Sequence, residues 1–354
     1  MNKAVNYKKG WIFSIAFTLV LLEVLLRLAG VNETFAEQSG KEYFSNYKYQ
    51  EVSKWHVGLN PDSSGEFSYK EFSFPFTTNE MGLVEKPLSA FTNCSGFKIV
   101  TLGDSYTQGI GTAYQNAWPR LLERKINEEI PQTCLFNAGL MGSDPFFEYV
   151  LYRDKLSHTN PNLVIFALNA TDIDEFIYRG GMERFKADST VSYNSAPWTE
   201  PLFHYSFIAR EICKTVFDKD EEVLLSEEEI EVKGNDFVKQ NTENFSRLKK
   251  TFGDSSNLLI VIFPGPYECL DPKYRRSPVA YRILKKLSAS LIAQKVGSID
   301  LYPLLKQELR NSSETQYGYK HDGHYNPWGY ELFASHVFRE MKKKYPNFIK
   351  VGNR

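Results

Sequence analysis

The hydrophobic and polar positions of the chain predict strands that alternate with helices. Short apolar, β-branched runs predict strands at 97–102, 134–137, 163–168, 258–263 and 298–301. Apolar positions at helical spacing predict helices at about 115–129, 145–157 and 277–295, and a last helix through 332–341. This βαβαβ order predicts an α/β fold with a parallel sheet and right-handed crossovers.

The N-terminus carries a different pattern. Residues 11–29 are almost all apolar, follow three lysines, and have about the length that spans a bilayer. Glu23 and Arg27 interrupt the run at i,i+4, where they can pair on one helix face. We therefore predict that residues 1–30 are a signal anchor with its amino end in the cytoplasm. A cleaved signal peptide, with a poor cleavage site at 34–36, and a buried soluble helix are the alternatives.

The remainder of the chain divides by composition. Residues 31–95 are rich in Tyr, Phe, Ser and Asn without helical spacing, which predicts an irregular β-rich extension packed on the next domain. Residues 96–350 carry the βα alternation and form the predicted α/β domain. Within it, residues 178–235 break the rhythm with a glycine pair, prolines and an acidic run, which indicates an insertion and candidate lid.

Charge excludes one class of partner. The chain has 42 Lys and Arg against 43 Asp and Glu, a net charge of −1, so it lacks the basic footprint of a nucleic-acid-binding protein. Aromatic residues make up 15% of the chain and suit either sugar platforms or ordinary strands.

The most informative segment is 99–109, where a strand stops at Gly103-Asp104-Ser105 and a helix-like stretch follows. A serine at such a turn holds its Oγ clear of the sheet edge, with Gly103 and Gly109 providing backbone freedom on either side. The amides that open the next helix point the same way. The simpler alternative is a turn in which Asp104 or Ser105 only caps a helix.

A second segment supplies the groups that such a serine needs. A serine hydroxyl requires a base to take its proton, and the base requires an acid to orient it. Asp322 and His324 provide that pair on one short loop. His321 lies beside them, but three clustered ligands with no nearby cysteine do not have the usual separated spacing of a zinc site. We therefore expect no metal and no cofactor.

Together these segments resemble the SGNH (GDSL) hydrolase superfamily, whose members are serine esterases and acyltransferases on a flavodoxin-like, three-layer α/β/α fold. The match to residues 103–109 implies that Ser105 is the nucleophile and that its amide is one oxyanion donor. The match at 137–142 implies Gly142 N–H as the second donor. The match at 322–324 implies His324 as the base and Asp322 as its acid.

Two positions depart from the family pattern. Thr171 stands where the third block usually has the asparagine that serves as third oxyanion donor, while Asn169 comes two residues earlier. If the strand continued through them, the two side chains would share a face about 6–7 Å apart. Both stay candidates, and Asn169 is expected to matter less. The loop also has Asp-x-His spacing, as in alginate-type O-acetyltransferase relatives, rather than the commoner Asp-x-x-His.

The resemblance implies a membrane-anchored, extracytoplasmic serine esterase, periplasmic or at the cell surface. It would act through an acyl-enzyme on O-acyl groups, most simply O-acetyl groups, of a cell-envelope glycan or lipid. An O-acyltransferase to a glycan hydroxyl and an inactive homologue that binds a glycan or another partner are the alternatives. The oligomeric state is left open.

A disulfide follows from the fold that the resemblance implies. Cys94 and Cys134 stand just before the first two predicted strands. In a flavodoxin-like sheet these strands are parallel neighbours, so their starts lie side by side. We predict a Cys94–Cys134 bond and assign no pairing to Cys213 and Cys269.

Overall fold

The computed structural model describes residues 3–29, 49–52, 56–186, 206–217, 225–253, 257–266, 276–313 and 316–347. The chain divides into two compact units. The first comprises Met1–Ser45 and Ser195–Glu228, and the second comprises Asn46–Asn194 and Glu229–Arg354. The residues of the predicted catalytic site all belong to the second unit.

The secondary structure of the described residues follows the chain in this order. The strands are β1 (Tyr49–Val52), β2 (His56–Leu59), β3 (Ser64–Tyr69), β4 (Phe72–Thr77), β5 (Lys98–Gly103), β6 (Cys134–Asn137), β7 (Leu163–Leu168), β8 (Asn257–Ile262) and β9 (Gly297–Asp300). The helices are α1 (Lys3–Leu28), α2 (Leu88–Thr92), α3 (Ser105–Gln108), α4 (Trp118–Asn127), α5 (Pro145–Leu151), α6 (Thr171–Arg179), α7 (Phe207–Thr215), α8 (Glu227–Phe252), α9 (Arg276–Ala293), α10 (Tyr302–Arg310) and α11 (Pro327–Lys344).

Five parallel strands form the main sheet in the order β6-β5-β7-β8-β9. In register, Val100 of β5 pairs with Phe136 of β6 on one side and Val164 of β7 on the other. This is the flavodoxin-like order, in which ligands bind where the strand order reverses, here between β5 and β7. The predicted parallel sheet is confirmed, and each of its five predicted strands lies within one residue of the observed one.

Helices cover both faces of the sheet. On one face, Ile165 of β7 belongs to a core cluster with Trp118 of α4 and Phe333 of α11. On the other face, Phe166 of β7 contacts Phe245 of α8 with ring centroids 4.9 Å apart. All six residues of β7 are buried as a result, which is why this strand is continuously apolar. The three-layer α/β/α prediction is confirmed.

Several helices differ from their sequence predictions. α5 ends at Leu151, and the chain continues through a wider π-helical turn, Tyr152–Leu156, so the predicted helix at 145–157 is two elements. The helices α6, α8 and α10 were not predicted. α8 begins at Glu227, inside the predicted insertion, and its buried stripe includes Gly234 and Asn241, which interrupt the apolar pattern.

The described part of the N-terminal extension forms two antiparallel hairpins, β1-β2 and β3-β4. After the second hairpin, the buried carboxylate of Glu85 pairs with Arg120 of α4 at 3.0 Å. It also accepts the backbone N–H of Asn137 at 2.8 Å. Burial raises the pKa of Glu85, and the Arg120 charge offsets part of that rise. This ion pair joins the extension to the sheet.

The first unit contains the predicted anchor. Residues Gly10–Leu28 of α1 have a mean hydropathy of 2.1, and none of them is buried. This stretch is long enough to cross a membrane. The predicted i,i+4 pair is present, with Arg27 Nε 3.4 Å from Glu23 Oε1.

The predicted disulfide is also present. Cys94 and Cys134 are bonded, with their Cα atoms 6.4 Å apart. The bond closes a 40-residue separation across the starts of β5 and β6, which the chain-entropy model values at about 4 kcal/mol of stability. Cys269 and the side chain of Cys213 lie outside the described residues.

Candidate active site

A tight turn at the carboxyl end of β5 presents Ser105. The strand ends at Gly103, Asp104 follows, and Ser105 is the first residue of α3. Asp104 Oδ1 accepts the backbone N–H of Tyr106 at 3.0 Å and so caps the helix. A Cβ at Gly103 would lie 2.1 Å from Thr107 Oγ1, so only glycine fits there. The predicted strand-to-helix turn is therefore present.

The second predicted segment reaches this turn from the far end of the chain. His324 Nε2 lies 2.8 Å from Ser105 Oγ, although the residues are 219 positions apart. His324 Nδ1 lies 2.5 Å from Asp322 Oδ1. The exposed fractions of Ser105 and His324 are 9% and 8%, so the pair is shielded but still reachable. The structure brings together all three residues of the predicted triad.

Two opposing effects set the protonation of His324. Burial of the ring lowers its pKa, while the charge and hydrogen bond of Asp322, with the charge of Asp104, raise it further than burial lowers it. The net result is a pKa above the ordinary histidine value. A base of this kind holds a proton taken from a hydroxyl more firmly than an isolated imidazole does.

The loop that carries Asp322 and His324 is fixed by the N-terminal extension. Glu71, in the turn between β3 and β4, accepts three consecutive backbone N–H groups, those of Lys320 at 2.9 Å, His321 at 2.7 Å and Asp322 at 3.3 Å. The side chain of His321 is exposed at this turn. On the other side, the Tyr106 hydroxyl donates to Gly323 O at 3.2 Å. The loop is therefore bound both to the β3-β4 hairpin and to α3.

Two of the predicted oxyanion donors, those of Ser105 and Gly142, are backbone amides. Gly142 has φ +69°, a conformation that favours glycine. Among the described residues, no protein acceptor receives the N–H of Ser105 or of Gly142. Both amides therefore stay available for a negatively charged oxygen, as an oxyanion hole requires.

The loop around Gly142 makes hydrogen bonds with α3 and with the end of β5. Asn137 Nδ2 donates to Thr107 O at 2.8 Å, and Gln108 Oε1 accepts the N–H of Met141 at 2.6 Å. Ser143 Oγ donates to Gly103 O at 3.0 Å. These contacts hold the two predicted oxyanion residues in a fixed relation to each other.

Arg179 binds the peptide group that follows Gly142. The guanidinium of Arg179 donates to the carbonyl of Gly142 and pairs with Glu175 at 2.9 Å. Burial raises the pKa of Glu175 to about 7, with the Arg179 charge acting against the rise. Arg179 thus orients the peptide that follows the Gly142 amide.

Asn169 and Thr171 lie differently from the sequence expectation. β7 ends at Leu168 and α6 begins at Thr171, so the strand alternation assumed for these positions does not apply. Their side chains are not 6–7 Å apart: Thr171 Oγ1 is 2.8 Å from Asn169 Oδ1. Both also approach Asp104 Oδ2, Asn169 Nδ2 at 2.8 Å and Thr171 Oγ1 at 3.2 Å.

These contacts change the expected importance of the two residues. Asp104 is buried, and burial raises its pKa while hydrogen bonds from Asn169 and from the Tyr106 amide lower it. Asn169 therefore stabilises Asp104, the residue that caps α3. The sequence-based expectation that Asn169 matters less than Thr171 does not fit this geometry.

We expect Asn169→Ala to lower both stability and turnover, because it removes a donor from a buried carboxylate. The cost of such an unpaired group is about 1–3 kcal/mol, measurable as a lower melting temperature beside a lower kcat. Thr171→Val is the matched comparison, since it removes the longer 3.2 Å contact with Asp104 and leaves the 2.8 Å Asn169–Asp104 bond in place, and its losses should be smaller. A large loss of kcat in Asn169→Ala with an unchanged melting temperature would instead identify the amide as an oxyanion donor.

Sequence reasoning missed three residues that build the site: Glu71, Asn137 and Arg179. Asn137 opens the second family block, so its motif was visible while its role was not. Glu71 and Arg179 act through backbone atoms of distant segments, and nothing in their local sequence marks them. Among the described residues, no group of three His, Cys, Asp or Glu side chains is placed to hold a metal ion.

No protein-family model and no curated protein matches the chain. Several solved structures are similar to the chain. One is a lipase/acylhydrolase from Enterococcus faecalis, which is 17% identical in sequence and has a TM-score of 0.41. The match covers 70% of this chain and 96% of that chain. A putative lipolytic protein of the G-D-S-L family from Desulfitobacterium hafniense has 13% identity, coverage of 68% and 98%, and a TM-score of 0.40. A variant of Axe2, an acetyl-xylooligosaccharide esterase from Geobacillus stearothermophilus, has 10% identity, coverage of 71% and 96%, and a TM-score of 0.44.

The fold and the candidate site of this chain can be compared with those that the sequence resemblance implies. The strand order is flavodoxin-like, and a Ser-His-Asp arrangement stands at the carboxyl edge of the sheet, where the strand order reverses. This is the fold and site that the resemblance to SGNH (GDSL) hydrolases implies.

Proposed function

We propose that the protein is an SGNH-type serine hydrolase that cleaves acyl esters through an acyl-enzyme on Ser105. The observation that carries the proposal is the 2.8 Å contact between His324 Nε2 and Ser105 Oγ, with Asp322 on the other ring nitrogen. A base within hydrogen-bond reach of the nucleophile, itself oriented by an acid, is the geometry of nucleophilic acyl transfer.

In the first half-reaction, Ser105 Oγ attacks the ester carbonyl carbon while His324 Nε2 takes the hydroxyl proton. Asp322 accepts the Nδ1–H bond and stabilises the imidazolium that forms. The carbonyl oxygen becomes negative and is held by the amides of Ser105 and Gly142. Collapse breaks the ester C–O bond, His324 gives its proton to the departing alcohol, and the acyl group stays on Ser105.

In the second half-reaction, His324 takes a proton from water, and the resulting nucleophile attacks the acyl-enzyme. The carboxylic acid leaves, and the proton returns to Ser105 through His324. A sugar hydroxyl in place of water gives transfer rather than hydrolysis with the same residues. The acceptor thus determines whether the enzyme is an esterase or an O-acyltransferase.

For the substrate, we propose O-acyl groups, most simply O-acetyl groups, on a cell-envelope glycan or lipid. The resemblance implies the ester class. The apolar helix α1 supports a location at the membrane, with the catalytic unit on its outer side. A substrate in the envelope would be within reach of an enzyme held there.

The decisive experiment measures hydrolysis of an aryl acetate by the detergent-purified full chain. Wild type should turn over the ester and react with a fluorophosphonate probe, whereas Ser105→Ala should do neither. Acetate release from an O-acetylated glycan, with and without an acceptor sugar, then separates hydrolysis from transfer. A wild type that neither hydrolyses the ester nor takes the probe would contradict the proposal and favour a binding-only homologue.

The proposed anchor can be tested by deleting it. Deleting residues 1–30 should release a chain that alkaline carbonate extracts from membranes without detergent, because among the described residues only α1 is long and apolar enough to span a bilayer. The Ser105-dependent esterase activity should persist, since the sheet and the triad lie in the other unit. A fragment that still needs detergent for extraction would contradict the single-anchor assignment.

A further inference from the structure

The carboxylate of Glu23 in α1 caps a second helix. It accepts the backbone N–H of Phe207 at 3.0 Å and of Ile208 at 3.2 Å, both in the first turn of α7. It also accepts the hydroxyl of Ser206 at 3.0 Å. Ser206 in turn accepts the N–H of Ala209 at 3.2 Å, so both groups cap the start of α7.

This contact offsets the cost of placing the Glu23 carboxylate within the apolar stretch of α1. A carboxylate within an apolar span is costly unless it is paired and hydrogen-bonded. Here Glu23 has Arg27 at 3.4 Å on its own helix and three donors at the start of α7, where the helix dipole favours negative charge. α1 therefore carries a charge that is matched to a specific partner in the same chain.

The depth of α7 follows from the position of Glu23. Glu23 stands five residues before Leu28, the last residue of the apolar window, which is about 7.5 Å along the helix axis. The start of α7 is consequently held near the outer end of the span. At that depth lies the boundary between acyl chains and headgroups.

Large apolar side chains are exposed on α7 and in the two residues that follow it, beside the exposed polar residues Glu211 and Thr215. Ile212, Val216 and Phe217 are 40%, 68% and 61% exposed. A groove of about 330 Å³ also separates the two helices. Its walls are apolar and include Leu19, Val20, Val24, Ile208, Ala209 and Ile212. Water is a poor occupant of such a surface, whereas lipid acyl chains match it.

The geometry points to residues 206–217 as a second membrane element: an interfacial helix that is docked on the anchor through Glu23 and covered by lipid acyl chains. This inference rests on the proposed anchor role of α1. The exposed side chain of Ile212 lines the groove together with Leu19 and Val20 of α1, so the apolar surface is continuous between the two helices, and that continuity identifies lipid as the occupant. Because the contact needs both segments, it also requires that α1 be retained rather than cleaved.

The test is lipid photo-crosslinking of the full chain in vesicles of phosphatidylethanolamine and phosphatidylglycerol. A benzoylphenylalanine replaces Phe217 just after α7, Phe13 in α1, or Ile292 in α9 of the second unit; all three are large, exposed apolar positions. Lipid adducts are counted by mass spectrometry. We expect adducts at 217 comparable to those at 13 and clearly above the background at 292.

Each other outcome has a distinct meaning. Adducts at 13 with only background at 217 would overturn the interfacial helix and leave the anchor standing. Background at both 13 and 217 would remove the anchor and the inference together. Protein–protein adducts at 217 in place of lipid adducts would overturn the inference in favour of a second copy of the chain.

A pair of variants tests the docking contact itself. Glu23→Leu removes the cap and should lower lipid adducts at 217 several-fold while leaving those at 13 unchanged. Glu23→Gln keeps an acceptor oxygen and should retain most of them. Equal adduct yields at 217 in both variants and in wild type would show that Glu23 does not hold α7 in place.

Discussion

Replacing His324 with alanine is expected to lower Ser105-dependent turnover about 10⁴-fold or more, because a serine hydroxyl without a base is a weak nucleophile. The imidazole lies 2.8 Å from Ser105 Oγ, and no other histidine is placed there among the described residues. The measurement is kcat/KM for an aryl acetate, with the melting temperature as a check that the variant is folded.

His321→Ala is the matched control, since it removes the neighbouring imidazole on the same loop. The His321 side chain is exposed, and its contact with Glu71 uses the backbone N–H, which alanine keeps. Turnover should fall little. Equal losses in the two variants would place His321 in the proton relay, and the reverse order would reassign the base.

Asp322→Asn is expected to lower kcat about 10⁴-fold while leaving the loop in place, because an amide cannot stabilise the imidazolium or hold its tautomer. The Asp322 carboxylate is 2.5 Å from His324 Nδ1 and also accepts the His324 backbone N–H at 3.2 Å. Asparagine preserves the size and one oxygen of this group. A loss below tenfold would mean that Asp322 is not the orienting acid.

Asp322→Asn should also change the pH at which His324 titrates. In wild type the pKa of His324 is raised, so the rate should rise with pH through a value above 6.5 as the ring becomes neutral. Stability linked to this group is complete below pH 6.5 and is lost as pH rises through the folded pKa. Asp322→Asn should move the His324 titration to lower pH, which NMR of the imidazole measures independently of activity. An unchanged titration would contradict the assigned cause.

The chain shows which parts of a fold can be predicted from sequence. β7 was predictable because burial on both faces makes all six of its residues apolar. The proximity of Ser105, His324 and Asp322 was predictable because each of them lies in a local motif. The Cys94–Cys134 bond followed once the neighbouring strands were assigned. In each case the information lies within a few consecutive residues or in the strand order.

What could not be predicted depends on contacts between distant segments. The stripe of α8 was hidden because Gly234 packs against Ile283 and Asn241 is buried, so neither position looks apolar. The Asn169–Thr171 geometry was misjudged because the end of a strand is not visible from side-chain alternation alone. Glu71 was invisible because its partners are backbone amides about 250 positions away.

The order of the segments along the chain determines when the proposed site can assemble during synthesis. The hairpin that carries Glu71, the nucleophile turn and the Gly142 loop all leave the ribosome before the loop with Asp322 and His324. The hairpin can therefore present its carboxylate before the three amides that it binds exist. Until the loop docks on that carboxylate, Ser105 is an ordinary alcohol. The nascent chain therefore carries Ser105 without its proposed base until residues 320–324 have been synthesised and have docked.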